Sequence, residues 1–155
     1  MKNSYFISTA IPYVNSKPHV GTAQEFVLAD VLARSFRQLG HEVYLQSGTD
    51  DNAFKNVLSA RVAGVEVREF VDRNAESFRE LLGVLNCRVD GFVRTSSAEH
   101  ASLVGEFLGK LRAEDIYDSA YSGLYCQGCE DFYLEADLIN GLCPDHLRAP
   151  ELIDE

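Results

Sequence analysis

Three of the chain's four cysteines stand in a short C-terminal stretch beside a histidine, as Cys126-Gln127-Gly128-Cys129 and Cys143-Pro144-Asp145-His146. Thirteen residues separate the two pairs. A C-x-x-C turn presents two thiolates to one tetrahedral ion, and a second tight pair closes the remaining corners. The spacing therefore predicts a metal centre ligated by Cys126, Cys129, Cys143 and His146, with zinc favoured over iron or nickel by its thiolate-rich tetrahedral set. Four protein ligands leave no open position for water or substrate, so the predicted role is structural. The competing readings are a disulfide between Cys126 and Cys129, which the lack of a secretion signal disfavours, and unrelated thiols, which the paired spacing disfavours. Gly128 and Gly141 suit sharp turns, while Tyr125, Phe132, Tyr133 and Leu138 would form a mini-core. A segment this short cannot be held by burial alone, so the metal is expected to contribute folding free energy. Cys87 stands apart, at the end of a predicted helix, and reads as a core residue.

The elements ahead of this knuckle alternate in type. Tyr5–Ala10 is β-branched and aromatic and predicts a buried strand. Residues 11–18 are punctuated by Pro12, Asn15, Ser16 and Pro18 and predict a loop. From Ala23 to Leu39, Phe26, Val27, Ala29, Val31, Leu32, Phe36 and Leu39 recur at helical spacing, with Gly40 as the residue that ends the helix. His41–Gln46 predicts a second strand, followed by Ser47-Gly48-Thr49-Asp50-Asp51-Asn52. Strand, loop, helix and strand make a βαβ unit and the seed of a parallel sheet. Further helices are predicted over 54–62, ended by Gly64, and over 67–85, with Phe70, Val71, Phe78, Leu81, Leu82 and Leu85 on the inner face. Phe92–Thr95 predicts a third strand, and Ser97 an N-cap for a helix reaching about Leu111. Composition turns loop-rich near Tyr117, which places a boundary at about Asp115: residues 1–115 as a nucleotide-binding segment, 116–150 as the knuckle and 151–155 as a continuation.

Ligands of parallel sheets bind beyond the carboxyl ends of the strands. Here that end carries Ala10-Ile11-Pro12-Tyr13-Val14-Asn15 and then Pro18-His19-Val20-Gly21-Thr22, opening a helix whose unpaired N–H groups suit a phosphate. Taken alone, His19 is as readily a helix cap and Gly21 a turn residue.

In context, Pro-His-Val-Gly-Thr after Ala-Ile-Pro-Tyr-Val-Asn resembles the first signature of class I aminoacyl-tRNA synthetases, usually His-Ile-Gly-His. More closely, it resembles the methionyl-tRNA synthetase family. The likeness continues through Ala29–Arg34, Gly48-Thr49-Asp50, Phe92–Thr95 and Gly123–His146, essentially the whole chain. It implies a Rossmann-like α/β fold with a parallel sheet, the first half of a class I catalytic domain, and a zinc-bearing connective-peptide insertion. The implied reaction is ATP-dependent activation of methionine. The amino-acid carboxylate attacks the α-phosphate, pyrophosphate leaves, and the aminoacyl group moves to the tRNA 3′ end. Motif match implies a catalytic role for His19, Gly21 and Thr22, with Asn15 beside them at the ATP site and Mg accompanying ATP. It implies that Ala10, Ile11 and Tyr13 line the amino-acid pocket and that Asp50 pairs with the α-ammonium group. Asp50 has a competing role as the cap of the helix starting near Ala53. Two departures stand out. Thr22 replaces the signature's last His, and Asp50-Asp51-Asn52-Ala53 replaces the usual Asp-Glu-His-Gly.

Bulk properties bound the rest. With 155 residues, 46% hydrophobic, the chain predicts one modest domain with a small appendage. No apolar run approaches bilayer length and the N-terminus lacks a signal-peptide pattern, so the expected setting is the cytoplasm, away from membranes. A net charge of −10 argues against a stand-alone nucleic-acid binder, so any tRNA contact is expected through parts outside these residues. The family's second motif, Lys-Met-Ser-Lys-Ser, does not occur before Glu155. This predicts a segment of a larger enzyme, or a chain needing a complementing domain or partner chain, with negligible turnover by itself. Two further readings stay open. One is a synthetase-like paralogue acting on amino acids without tRNA in a biosynthetic pathway, such as an N–N bond-forming hydrazine synthetase. The other is a non-catalytic binding module.

Overall fold

A computed structural model describes residues 2–154. Two compact units are resolved by their internal contacts, Met1–Leu108 and Gly109–Glu155. In the first, Ser4–Ser8 (β1), Glu42–Thr49 (β2) and Gly91–Arg94 (β3) form a parallel sheet in the order β1-β2-β3. Helix Val20–Gln38 (α1) connects β1 to β2, helices Phe54–Ala63 (α2) and Val67–Val84 (α3) connect β2 to β3, and Ala98–Leu108 (α4) follows. This is the α/β architecture expected from the alternation of strand and helix patterns.

Several element boundaries differ from the predicted ones. β2 runs on to Thr49 because Gln46–Thr49 pair with Gly91–Arg94. Glycine is needed at position 48, where a Cβ would overlap the Val93 carbonyl. α1 begins at Val20 because the His19 ring caps it. Its C-terminal turn ends at Gly40, with φ at 85°, and α2 ends at Gly64, with φ at 66°; both are left-handed positions where glycine is favoured. Ser97 Oγ accepts from the His100 amide at 3.1 Å, as a cap for α4 should.

The core gathers Val14, Phe26, Val71, Ala75, Phe78 and Leu82. Burying each large apolar side chain contributes roughly 1.5–3 kcal/mol. On α3 the expected inner face holds for Phe70, Val71, Phe78 and Leu82, with Leu81 and Leu85 half-buried at its margin. On α1 it does not. The buried face is Thr22, Phe26, Asp30 and Ala33, while Val27, Val31, Leu32 and Leu39 are exposed. Apolar residues surround this helix, so periodicity alone could not choose its inner side. Buried Asp30 is tolerated because Arg34 Nε and the Arg88 amide donate to its carboxylate, at 2.5 and 2.9 Å. Val14 stands in the segment whose Pro and Asn punctuation predicts a loop. It is fully buried, and Asn74 Nδ2 donates to its carbonyl at 2.7 Å, which pins the segment between β1 and α1 to α3.

The second unit pairs Ser122–Cys126 (β4) with Asp131–Tyr133 (β5) and with Glu151–Asp154 (β6), all antiparallel, in the order β5-β4-β6. No helix among the described residues is long and apolar enough to cross a membrane.

Candidate functional site

At the carboxyl ends of β1 and β2 the chain continues its pairing past the regular strands. Tyr13 bridges Asp50 in parallel, and the Asp50 amide donates to the Pro12 carbonyl at 2.9 Å. The segment carrying Ala10, Ile11 and Tyr13 is thereby laid alongside Asp50. The Ala10 amide donates to Glu25 Oε1 of α1 at 2.6 Å, tying this segment to the helix as well. Ala10, Ile11 and Tyr13 are exposed, and Asp50 is half-buried.

His19 is the N-cap of α1. Its Nδ1 accepts from the Gly21 amide at 3.0 Å, so the neutral ring carries its proton on Nε2. The ring lies so close that a Cβ at position 21 would come within 2.9 Å of its Cε1, so a larger residue there would push the capping ring aside. His19 and Gly21 are exposed, whereas Thr22 faces inward at 7% exposure. Ile11 lines a cavity of about 710 Å3 with Tyr44, Arg94, Thr95 and His100. Asn15 lines a different cavity, of about 490 Å3, with Lys17, Val62 and Phe70. The predicted site residues thus fall into a group around Asp50, a group at the start of α1, and Asn15 on a separate concavity.

Asp50 does not cap α2, whose N-cap is Ala53 with no side-chain hydrogen bond. Its Oδ1 instead accepts from the Asn52 amide and from Thr95 Oγ1, both at 3.3 Å. Beside it Asp51 is buried, and its Oδ2 accepts from Arg94 Nε at 2.8 Å and Ser96 Oγ at 2.6 Å. Arg94 Nη2 reaches on to Asp72 Oδ1 at 2.6 Å. Burial disfavours the Arg94 charge, but the Asp72 and Asp51 carboxylates outweigh it and hold its pKa above the ordinary value. The Arg94 hydrogen bond in turn holds the Asp72 carboxyl below the usual range, against a smaller opposing effect of burial. Neither residue spacing nor the family resemblance predicts a site role for Arg94, Thr95 or Ser96. The available signal was a polar run closing an otherwise apolar strand.

In the second unit the four predicted metal ligands converge. The Sγ atoms of Cys126, Cys129 and Cys143 and a ring nitrogen of His146 all lie within 4.8 Å of one another. Cys129 Sγ is 3.3 Å from Cys143 Sγ and 3.2 Å from His146 Nδ1, and the latter is 4.0 Å from Cys143 Sγ. A tetrahedral zinc ion with Zn–S near 2.3 Å and Zn–N near 2.0 Å has S···S and S···N edges of about 3.8 and 3.5 Å. The donor set is therefore compatible with zinc, and the cysteines are unbridged. Cys126 and Cys143 are the only buried residues among the described residues of this unit; Tyr125, Phe132, Tyr133 and Leu138 are half-buried. Burial converges on the thiols and not on an apolar centre. Gly128 packs under the His146 ring, where a Cβ would lie 2.6 Å from its Cγ. The Tyr133 hydroxyl donates to Cys129 Sγ at 3.1 Å, an outer-layer contact of the kind that orients metal ligands. Burial opposes ionisation of Cys143, but the His146 amide, Cys129 and the His146 ring draw it down to about 6. Cys129 is pushed up to about 12, where burial and the adjoining thiols outweigh the Tyr133 hydroxyl.

The family model for class I tRNA synthetases (M) matches residues 5–151, and the chain belongs to that family. Among curated relatives, the methionine–tRNA ligase of Thermotoga maritima is 36% identical over 97% of this chain and 25% of its own length. That of Rickettsia felis is 39% identical over 93% of this chain and 28% of its own. A solved structure of Mycobacterium tuberculosis methionyl-tRNA synthetase, in complex with methionyl-adenylate, superposes with a TM-score of 0.90 at 33% identity. It covers 100% of this chain and 31% of that one. The chain thus spans about a quarter to a third of the length of the relatives it matches.

Proposed function

We propose that this chain supplies the ATP- and amino-acid-facing portion of a site that activates methionine as its adenylate for transfer to tRNA. The observation that carries this reading is the pairing of the Ala10–Tyr13 segment with Asp50 beyond the carboxyl ends of β1 and β2, followed by the His19-capped start of α1. Asp50 receives the α-ammonium group in a charge-assisted hydrogen bond and fixes the orientation of the substrate. Ala10, Ile11 and Tyr13 line the amino-acid side. The Nε2–H of His19 and the first-turn amides of α1 that the His19 cap does not use bind the phosphates of ATP, which arrives with Mg. Gly21 admits the nucleotide close to the backbone, Thr22 supports the same turn from its buried side, and Asn15 flanks the approach. The methionine carboxylate attacks the α-phosphorus, its P–O bond to the leaving group breaks, and pyrophosphate departs. These residues act by positioning and by stabilising charge.

Cys126, Cys129, Cys143 and His146 would hold a structural zinc ion, whose role is to fold the 116–150 segment. Residues 1–115 form the nucleotide-binding segment, and the working compartment is the cytoplasm. The 155 residues contain no Lys-Met-Ser-Lys-Ser segment, so by themselves they are expected to bind ATP weakly and to turn over negligibly, pending a complementing domain or chain. The match to methionine–tRNA ligases supports methionine, and the Asp50-Asp51-Asn52-Ala53 loop is the one feature that favours a paralogue with another amino acid.

Amino-acid-dependent ATP–pyrophosphate exchange by the complete gene product, followed by tRNA charging, tests the proposal. Exchange with methionine and charging of its tRNA are expected. Exchange with a different amino acid, or without charging, would establish the paralogue instead. No exchange with any amino acid would refute both.

A further inference from the structure

We propose that Thr95 is a positioning residue for the Asp50 carboxylate and, through it, for the α-ammonium group of the amino-acid substrate. The inference rests on the role given to Asp50 above.

Thr95 follows the last residue of β3 and meets the 50–52 loop at three points. The Asp51 amide donates to Thr95 Oγ1 at 2.8 Å, Thr95 Oγ1 donates to Asp50 Oδ1 at 3.3 Å, and Asn52 Nδ2 donates to the Thr95 carbonyl at 3.1 Å. A threonine hydroxyl has one proton to give. The Asp51 amide occupies a lone pair of that oxygen, so the proton is directed at Asp50, and the two hydrogen bonds polarise one another. The Asn52 amide reaches the same Oδ1, at 3.3 Å, while Asp50 Oδ2 has no hydrogen bond among the described residues. One carboxylate oxygen is held by the scaffold and the other is left for a cation.

Thr95 itself is held firmly. Its amide donates to the Thr49 carbonyl at 3.2 Å, extending the β2–β3 pairing by one step. The neighbouring Arg94 and Ser96 both grip the buried Asp51 carboxylate. Asn56 Nδ2 donates to the carbonyls of Asp50 and Asp51, at 3.1 and 2.9 Å. The loop backbone therefore keeps several anchors when the Thr95 hydroxyl is removed, but the Asp50 carboxylate loses its only side-chain donor among the described residues. A structural role would weaken every ligand alike. A positioning role weakens only ligands that carry the ammonium group.

The test uses the complete gene product and its Thr95→Val, Thr95→Ser and Asp50→Asn variants. Equilibrium binding is measured for L-methionine, for 4-(methylthio)butanoic acid, which is methionine without its α-amino group, and for ATP. Thr95→Val is expected to weaken methionine binding by about 10-fold, the size of one hydrogen bond to a charged group, and to leave the other two ligands within about 2-fold. Thr95→Ser, which keeps the hydroxyl, is expected to restore methionine binding. If the valine variant does not fold, Thr95→Cys, which puts a weakly donating thiol in place of the hydroxyl, carries the same comparison, with Thr95→Ser as its size-matched control. Wild-type methionine binding by Thr95→Val alongside loss in Asp50→Asn overturns the inference and spares the role of Asp50. Equal weakening of methionine and its desamino analogue also overturns it. No effect of Asp50→Asn on methionine binding overturns the role of Asp50, and this inference with it.

Discussion

Replacing Gly128 by alanine should damage zinc binding while leaving the metal-free chain largely undisturbed. The φ of Gly128 lies outside the left-handed region, so the backbone accepts alanine, and the cost comes only from the His146 ring. The new Cβ would stand 2.6 Å from Cγ and 2.9 Å from Nδ1, against ordinary contacts that begin at 3.4 Å. Taking the shorter distance, 3.4 minus 2.6, the ring must retreat by 0.8 Å. The nearest atom is the root of the ring, so the retreat is a χ1 rotation, for which the exposed His146 side chain of the metal-free chain has room. With metal it exceeds the tolerance of about 0.2 Å on a ligand distance. Structural zinc binding of about 10–16 kcal/mol over four ligands assigns roughly 2.5–4 kcal/mol to each. A replacement water recovers part of that, leaving a loss of about 2–3 kcal/mol, or roughly 30- to 160-fold in affinity. Competition against a chromophoric chelator at fixed pH measures it, with urea unfolding of the metal-free proteins as control. Zinc affinity within about threefold of wild type would refute the packing argument. Equal destabilisation of the metal-free chain would place the cost in the backbone.

Other outcomes follow from the network around Asp51. Arg94→Met leaves a buried carboxylate with Ser96 as its only side-chain donor among the described residues and should destabilise the first unit by about 3–5 kcal/mol in urea denaturation; a loss below about 1 kcal/mol would contradict its role. Asp72 has a folded pKa held below its ordinary value, so its pairing with Arg94 contributes stability above that ordinary value and loses it as pH falls through the folded one. Between about pH 5 and pH 2 the wild type should therefore lose more stability than Asp72→Asn, and parallel declines in urea midpoint would contradict this. Gly48→Ala, which drives a Cβ into the Val93 carbonyl, should disrupt the β2–β3 pairing and lower the melting temperature, whereas an unchanged melting temperature would show that the strands can separate without cost.

The local chemistry of this chain was largely legible in its residues. Paired Cys and His spacing identified the four donors that converge, and strand–helix alternation identified the parallel sheet, because both depend on short-range geometry. What escaped depends on distant partners. The strand character of residues 47–49 comes from pairing with residues more than forty positions away. Val14 is a core residue inside a polar loop because Asn74 holds its carbonyl and α3 covers its side chain. The inner face of α1 was obscured by apolar residues on all its sides, and one of its four buried positions is the salt-bridged Asp30, which a search for apolar spacing passes over. The dual character of His19 was legible only as two alternatives. The structure shows the cap, made through Nδ1, and the proposed phosphate contact would fall to the other ring nitrogen.

The central claim is that the residues around Asp50 and His19 form part of a methionine-activating site. Its most direct test is a single-turnover reaction of the complete gene product with α-labelled ATP and L-methionine, with products separated by chromatography. The account predicts methionine-dependent appearance of methionyl-adenylate with release of pyrophosphate, and its loss in Asp50→Asn and His19→Ala. Cleavage of ATP to ADP, no adenylate in the presence of methionine, or undiminished adenylate formation by Asp50→Asn would contradict it.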